Sequence, residues 1–259
     1  MEQDIVVFEP GADGIGTLTL NRPEARNGVT QALLETLHDR VREVAARTDT
    51  RVLILRGAGQ DFCVGADIKA ALAATDAPPV RYEDLAYAYH VSTMLHQMPQ
   101  VTVAAIDGGC AGAGLGWAAA CDLRFASTRA RFATAFLKVG ATGDMGTAWF
   151  LNRIVGPTRA RELLLLGDKF DAAEAERIGL VSRVFPAEAL HAEVRALAER
   201  MAAASPATLR LMKANFISAE TLPLDQYMEL ESARHTHIAQ GPALREGFAA
   251  FMDGRATNG

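Results

Sequence analysis

The chain has 259 residues, of which 49% are hydrophobic and 22% are charged, and its formal net charge is −5. This composition is typical of a globular protein with a sizeable core, and the acidic balance argues against a broad nucleic-acid-binding face. No apolar stretch reaches the roughly 18 residues that a membrane-spanning helix needs, so no contact with a membrane is expected.

The N-terminal part of the chain is predicted to form two strands and then a helix. Residues 5–8 and 17–20 are predicted to be β-strands on either side of a glycine-rich turn. Thr30 is placed to cap a helix whose apolar residues recur at helical spacing: Leu33, Leu34, Leu37, Val41 and Val44.

Further along the chain, strand-like and helix-like segments alternate. A continuous apolar run at 52–55 predicts a strand that is buried on both faces, and a second buried strand is predicted at 101–106. A helix is expected at about 82–98, between these two runs, and a further strand at 122–126. This alternation predicts an α/β core.

From about residue 147 onward the pattern is mostly helical, with a short exception at 181–185. Four prolines stand where helices would begin, which suits a residue tolerated in the first helical turn: Pro186, Pro206, Pro223 and Pro242. We predict a core at residues 1–200 and a helical region at 201–259. That region carries more apolar surface than a peripheral appendage should expose to water: Leu209, Leu211, Met212, Phe216, Phe248 and Phe251.

The amino terminus and the cysteines bear on the cellular compartment. Residues 1–4 are acidic at two positions and lead into a short apolar run, unlike the start of a secretory signal. Cys63, Cys110 and Cys121 are an odd number without metal-like pairing, so we expect reduced core thiols. A cytoplasmic location follows as the default expectation.

Two loops that follow buried strands are candidates for a binding site. The first covers residues 61–69, and the second, at 107–116, is rich in glycine and alanine and opens a helix. Small residues let backbone approach a ligand, and the N–H groups of a first helical turn have no internal partner, so such a loop can hold a developing negative charge. Close packing of a helix on a sheet explains one such loop equally well.

Several common motifs are excluded by spacing. The glycines at 112, 114 and 116 do not form the G-x-G-x-x-G pattern of dinucleotide-binding proteins. The chain also lacks the G-x-x-x-x-G-K-[ST] phosphate loop and the G-x-S-x-G nucleophile elbow.

Four segments together resemble the crotonase, or enoyl-CoA hydratase/isomerase, superfamily. They are residues 21–27 (NRPEARN), 62–68 (FCVGADI), 108–116 followed by Cys121-Asp122, and 179–181 (GLV). Their order and intervals match over nearly the whole chain. The resemblance implies an α/β fold built as a spiral of ββα units, with C-terminal helices that help to build trimers, often paired into hexamers.

The same resemblance implies an acyl-CoA substrate and a site. Two backbone N–H groups would hold the thioester oxygen, and by motif position these belong to Ala66 and Ala113. Such donors stabilise the enolate formed beside a thioester, at about 3 kcal/mol each. The implied substrate-binding residues are Ala25, Ala66, Asp67, Ile68, Gly112, Ala113 and Phe136. No separate cofactor is expected, because coenzyme A is part of the substrate.

The acid–base residues of the family point away from a hydratase. Hydratases carry two glutamates, and alignment on Cys121-Asp122 and on residues 131–133 places these positions at Gly116 and Phe136. Both carboxylates are missing. Water addition by two glutamates is therefore in doubt.

A different carboxylate, Asp144, lies in a segment with its own resemblance. Residues 136–146 resemble the stretch that carries a catalytic aspartate in enoyl-CoA isomerases of the 1,2-epoxyphenylacetyl-CoA type, and residues 218–221 and 245–247 favour the same comparison. The segment also resembles that of 4-chlorobenzoyl-CoA dehalogenase, where the aspartate is the nucleophile. From spacing alone, Asp144 could equally be a helix cap.

The histidines are weaker candidates. His235 and His237 could suggest a metal, but two histidines on a predicted surface helix rarely make a site, so none is predicted. His90 and His96 come from the region that would supply a dehalogenase-like base, although solvated or core histidines explain both.

The leading hypothesis is an isomerase that shifts a double bond in an enoyl-CoA, since one carboxylate and the oxyanion donors suffice for that reaction. Three alternatives remain open: a hydratase or other lyase, a hydrolytic dehalogenase, and a catalytically silent protein that keeps only the CoA site.

Overall fold

The computed structural model describes residues 4–74, 81–252 and 254 of the chain. Its strands are β1 (Val6–Glu9), β2 (Ile15–Leu20), β3 (Val52–Gly57), β4 (Val101–Ile106), β5 (Gly109–Ala111), β6 (Leu123–Ser127), β7 (Arg131–Ala133), β8 (Phe170–Asp171) and β9 (Arg183–Phe185).

The helices alternate with these strands at first and then dominate. They are α1 (Gln31–Ala45), α2 (Ile68–Ala73), α3 (Tyr82–Tyr89), α4 (Val91–Gln97), α5 (Ala113–Ala120), α6 (Thr147–Ile154), α7 (Gly156–Leu166), α8 (Ala172–Arg177), α9 (Leu190–Ala202), α10 (Pro206–Ala219), α11 (Leu224–Ala239) and α12 (Pro242–Met252). Short 3-10 turns lie at Pro23–Ala25 and Leu137–Val139.

The larger sheet has six strands in the order β1-β2-β3-β4-β6-β9. Strand β1 is antiparallel to β2, and all the other neighbours are parallel. A second sheet, in the order β5-β7-β8, stands beside it. The predicted α/β core and the predicted C-terminal helices are confirmed.

Both faces of the large sheet are covered, as the continuous apolar runs predict. Successive residues of β3 point to opposite sides, so that Leu53 and Leu55 join one hydrophobic cluster while Val52 and Ile54 join the other. Helix α1 covers the first side with the five apolar residues named above, all of them buried, and Thr30 Oγ1 accepts the Leu33 N–H at 3.2 Å. Helix α9 covers the second side.

Some predicted boundaries were wrong. The helix expected at 82–98 is interrupted at His90, which ends α3 and precedes α4. Pro186 does not begin α9, because the helix starts four residues later and the Pro186 carbonyl only accepts the Leu190 N–H at 3.0 Å. Strands β5, β7 and β8 were not predicted, because two or three residues carry too little pattern to be recognised.

Helix α10 is anchored to the core by a buried ion pair. The Lys213 ammonium, with only 2% of its side chain exposed, lies 2.8 Å from Asp122 Oδ2 and also donates to the carbonyls of Leu95 and Gln100. Burial lowers the pKa of Lys213, and the Asp122 carboxylate opposes that effect. The division of the chain at residue 200 stays a prediction.

Helices α11 and α12 are far less covered. No residue of α11 is buried, and large apolar side chains are exposed on both helices, among them Leu224, Met228 and Phe248. The side chain of Phe251 lies outside the described residues. Among the described helices, none combines the length and the apolar character needed to cross a membrane.

The three cysteines are buried free thiols, as expected. Burial raises the pKa of Cys63 and of Cys121 to about 12. It also raises the pKa of Cys110 well above its usual value. Such thiols are poor nucleophiles, because the thiolate is the reactive form.

Candidate active site

The two candidate loops run side by side. The Cys63 N–H donates to the Gly109 carbonyl at 3.0 Å, and the Ala111 N–H donates to the Cys63 carbonyl at 2.9 Å. Beyond this pairing, Gly65 and Gly112 meet: both have positive φ, and a Cβ on Gly112 would lie 3.4 Å from the Gly65 Cα. Glycine at both positions therefore permits the close approach.

The predicted oxyanion donors follow these two glycines directly. Ala66 is exposed on the first loop, and Ala113 is the buried first residue of α5. Within the described residues, neither the Ala66 N–H nor the Ala113 N–H has a hydrogen-bond acceptor. Two unpartnered donors thus lie on adjoining segments, as a thioester oxygen would require.

Asp67 fixes the end of the first loop. Its Oδ1 accepts the Ala70 N–H at 3.1 Å and so caps α2, while its Oδ2 pairs with Arg22 at 3.0 Å. The Ala70 N–H and, after it, the Arg22 guanidinium hold the pKa of Asp67 below its usual value despite the opposing effect of burial. Ile68 opens α2 and is 55% exposed.

Ala25 lies on a segment that touches the same place. It ends the first 3-10 turn, and its carbonyl accepts the Gly28 N–H at 2.9 Å. A Cβ on Gly28 would lie 3.1 Å from the Asp67 Cβ. Ala25, Asp67 and Ile68 are thus brought together beside the loops, and their contact with coenzyme A stays a prediction.

Asp144 lies in a tightly turned loop between the second 3-10 turn and α6. Three of its neighbours have left-handed backbone, namely Gly143 (φ 114°), Met145 (φ 49°) and Gly146 (φ 70°). A non-glycine residue such as Met145 rarely adopts this conformation, and such strain concentrates at functional sites.

The side chain of Asp144 does not cap a helix. Gly146 is the N-cap of α6, and Asp144 contributes only its backbone carbonyl, which accepts from Thr147 N–H at 3.0 Å and Thr147 Oγ1 at 2.8 Å. The Oδ1 atom is buried and has no hydrogen-bond partner within the described residues. Burial raises the pKa of Asp144. A buried carboxylate oxygen without a hydrogen-bond donor is costly, and function is a common reason for its presence.

A cavity of about 420 Å³ opens onto Asp144. Its walls are mostly apolar and come from both sides of the loop: Phe136, Leu137, Thr142, Gly143, Met145, Gly146, Thr147, Ala148, Trp149, Leu164 and Leu165. Phe136 joins the cavity to the second loop, since a Cβ on Gly112 would lie 3.8 Å from the Phe136 Cε1. The charge of Asp144 also acts on the Cys63 thiol, whose pKa is raised first by burial and further by this carboxylate.

The structure gives the histidines no place in this cavity. His90 is exposed at the junction of α3 and α4. His96 pairs with Glu220, with 2.9 Å between Nε2 and Oε2, and meets the ring of Trp149 edge-on. Among the described residues, no group of three or more His, Cys, Asp or Glu side chains could hold a metal ion.

Sequence reasoning missed one connection within the site. The Asp61 carboxylate accepts the Gly109 N–H at 2.6 Å and also pairs with Arg26, so it joins the first loop to the second. The three residues are far apart in the chain, and no local periodicity relates them. Only the folded chain brings them together.

The sequence is similar to a known protein family over nearly its whole length. The family described as "Enoyl-CoA hydratase/isomerase" matches residues 11–258. The chain is 32% identical to the 1,2-epoxyphenylacetyl-CoA isomerase of Escherichia coli, with 94% of each chain covered. It is 35% identical to a "probable enoyl-CoA hydratase" of Mycobacterium tuberculosis, with 97% of this chain and 91% of the relative covered.

The fold is shared with a solved structure as well. An enoyl-CoA hydratase from Mycobacterium smegmatis superimposes with a TM-score of 0.88 at 30% identity, and 98% of each chain is covered.

Proposed function

Because the chain belongs to the enoyl-CoA hydratase/isomerase family, we propose that it is an enoyl-CoA isomerase in which Asp144 is the acid–base residue. One observation carries the choice between the two reactions. The only carboxylate among the described residues that line the cavity is that of Asp144, while the two hydratase positions hold Gly116 and Phe136.

In the proposed reaction the thioester oxygen of an enoyl-CoA accepts hydrogen bonds from the Ala66 and Ala113 N–H groups. In a substrate whose double bond lies between the third and fourth carbons, the Asp144 carboxylate takes a proton from the carbon beside the thioester carbonyl, and the electron pair of that C–H bond spreads over the conjugated enolate. The same proton then returns to the far carbon of the enolate, which moves the double bond by one position. The reaction consumes no water and needs no second acid–base group.

The unpaired state of Asp144 supports this role. A carboxylate that lacks hydrogen-bond donors and lies among apolar side chains is a stronger base than one in water, since desolvation disfavours its charge. The N–H donors also lower the barrier, because they stabilise the negative charge that develops on the thioester oxygen. Burial of the acyl group against Phe136 and Trp149 would remove further water.

The partners of the proposal are a CoA thioester and further copies of this chain. We propose a trimer or a dimer of trimers, for which the exposed apolar residues of α11 and α12 provide the surface. No cofactor is proposed beyond the coenzyme A of the substrate.

A screen of acyl-CoA thioesters tests the function, with isomerisation read by ultraviolet absorption and hydration by mass. The wild type should isomerise an accepted enoyl-CoA without a gain of water, and Asp144→Asn should bind it normally but lose about two to four orders of magnitude in turnover. Ala113→Gly should keep substantial activity, because the backbone donor remains, and Ala113→Pro should lose it.

The other functions give different results in the same screen. A hydratase would add the mass of water in an Asp144-dependent manner. A dehalogenase would release halide from a haloaryl thioester through a covalent aryl-enzyme at Asp144. A protein that binds thioesters and changes none of them would have only a binding role.

A further inference from the structure

The carboxylate of Asp61 joins three segments of the chain, and each segment carries a residue of the proposed site. Asp61 itself begins the loop that leads to Ala66. Its Oδ1 accepts the Gly109 N–H at 2.6 Å, and Gly109 lies in the second loop, four residues before Ala113. The third segment is that of Ala25, since the adjacent Arg26 donates through Nε to Oδ2 at 2.8 Å and through Nη2 to Oδ1 at 2.9 Å.

The hydrogen bonds to the Asp61 carboxylate are strong, because the side chain is largely buried and the partner geometry is favourable. The Asp61 side chain is 15% exposed and receives both arms of a fork-like guanidinium contact, which is a favourable hydrogen-bonding geometry for a carboxylate. The hydrogen bond from Arg26 and, after the opposing effect of burial, that from Gly109 hold the pKa of Asp61 below its usual value. Asp61 is therefore ionised at neutral pH. Within the described residues, its carboxylate is the acceptor for the Gly109 N–H.

The hydrogen bond to Gly109 is one rung of the ladder between the two loops, and the Phe62 N–H, which donates to the Asp107 carbonyl at 2.7 Å, precedes it. The next rungs are Cys63 N–H to the Gly109 carbonyl at 3.0 Å and Ala111 N–H to the Cys63 carbonyl at 2.9 Å. The ladder ends just before Ala66 and Ala113. Because its rungs fix how far one loop has advanced along the other, a shift at Gly109 is transmitted to the separation of the two donors.

The close fit beside the ladder leaves little freedom to absorb such a shift. A Cβ on Gly108 would lie 1.8 Å from the Gln60 carbonyl oxygen, and a Cβ on Gly109 would lie 2.8 Å from Asp61 Oδ1. The Asp61 backbone is held too, because the Asn27 side-chain amide donates to its carbonyl at 2.7 Å.

We propose that Asp61 is a positioning residue, which holds Gly109 against the first loop and thereby sets the geometry of the Ala66 and Ala113 N–H groups around the thioester oxygen. This proposal rests on the proposed function, since it takes those two groups as the oxyanion donors. Asp61 acts through the backbone and does not itself touch the acyl group.

Asp61→Ala removes the acceptor, and Asp61→Asn keeps an oxygen for Gly109 but loses the charge that faces Arg26. Asp49→Ala is the matched control. Asp49 forms the same two-armed contact with Arg47, at 2.9 and 2.6 Å, on the surface and away from both loops. The control separates the effect of losing an Asp–Arg ion pair at the surface from the effect of losing the hydrogen bond between Asp61 and Gly109.

The main measurement is the absorption of bound para-(dimethylamino)cinnamoyl-CoA, which is read without turnover. Hydrogen bonds to its thioester oxygen stabilise the charge that moves there on excitation, so the red shift on binding reports the geometry of the two donors. The second measurement is kcat and KM for an accepted enoyl-CoA, and the third is the melting temperature.

In Asp61→Ala the red shift should shrink, and kcat should fall about ten- to one hundred-fold. The value of KM should change less than kcat, because misplaced donors weaken transition-state stabilisation more than they weaken substrate binding. Asp61→Asn should recover part of both, and Asp49→Ala should match the wild type. A purely structural role would lower the melting temperature and leave the red shift and kcat of the folded enzyme intact, which would overturn the proposal.

The outcomes also separate this proposal from the proposed function. A wild type that shifts the chromophore but isomerises nothing would refute the isomerase, and the spectra of the Asp61 variants would still decide the role of Asp61. A wild type that binds the chromophore without any red shift would refute both, because Ala66 and Ala113 would then not hold the oxygen.

Discussion

Met145 occupies the space that a side chain at Gly116 would need. A Cβ on Gly116 would lie 2.6 Å from the Met145 Cβ and 3.1 Å from the Met145 carbonyl oxygen, with Thr147 Oγ1 at 2.8 Å. By the family resemblance, Gly116 stands at the position expected for a hydratase glutamate, and Met145 follows Asp144. The loop that presents Asp144 therefore packs against Gly116 and fills the place where a longer side chain would begin.

Gly116→Ala should therefore destabilise the protein, although alanine favours a helix. Overpacking a filled core costs about 1–3 kcal/mol, which exceeds the gain in helix propensity. Thermal denaturation should show a lower midpoint for this variant. The control is Gly247→Ala in α12, where, among the described residues and apart from the adjoining helix backbone, no heavy atom lies within 4 Å of the added Cβ, so the midpoint should not fall. Equal midpoints for wild type and Gly116→Ala would contradict the packing argument.

The activity should depend on pH through Asp144. Burial raises the pKa of this carboxyl group, and only its ionised form can take the proton. As pH falls through the folded-state pKa, kcat/KM should decline, and the midpoint of the decline should lie above the ordinary aspartate value of about 3.9. The pH profile of kcat/KM tests this. A midpoint at or below the ordinary value would show that Asp144 is not the desolvated base.

Asp144→Asn should raise the stability of the fold at neutral pH. At pH values between the pKa of Asp144 in the unfolded state and its raised pKa in the folded state, the native state holds more protons than the unfolded state. The free energy of unfolding therefore falls as pH rises through this window, and it stays lower at higher pH. Removing the carboxylate removes that loss. Melting temperatures of the variant and the wild type should differ at neutral pH and converge below the unfolded pKa. Asp49→Asn, on the exposed surface, should show no such gain.

Lys213→Ala should be strongly destabilising. It leaves Asp122 without its cation, and removing one partner of a buried ion pair costs about 3–5 kcal/mol. Denaturant titration measures this loss in the free energy of unfolding. Lys138→Ala is the matched control, because its pair with Asp168 is 3.3 Å long and both side chains are more than half exposed. Equal small losses in the two variants would mean that the anchor of α10 contributes little.

The C-terminal helices should mediate self-association. Leu224 is 75% exposed and Phe248 is 62% exposed, so association would remove large apolar areas from water. Light scattering at micromolar concentration should give the mass of a trimer or hexamer, and Phe248→Asp should give smaller species. Leu72→Asp, at a similarly exposed apolar position on α2, serves as the control. A wild type that remains monomeric would refute the prediction.

The sequence by itself determined the six strands of the large sheet, most helices and the family. The strand at Val101–Ile106 was predicted to the residue, because five apolar residues and one threonine, without a charge or a glycine, leave little alternative in an α/β protein. The cap at Thr30 was also predicted correctly, since a hydroxyl bonds to the backbone only three residues away. Such signals are local, and they survive in a single sequence.

Only the tertiary structure decided the state of Asp144 and the link through Asp61. The spacing around Asp144 allowed a helix cap, and the fold excluded it by making Gly146 the N-cap and leaving Oδ1 buried without a donor. The contacts of Asp61 with Arg26 and Gly109 span 35 and 48 residues. Burial and long-range contacts depend on how distant segments pack, and a pattern along the chain carries no record of that packing.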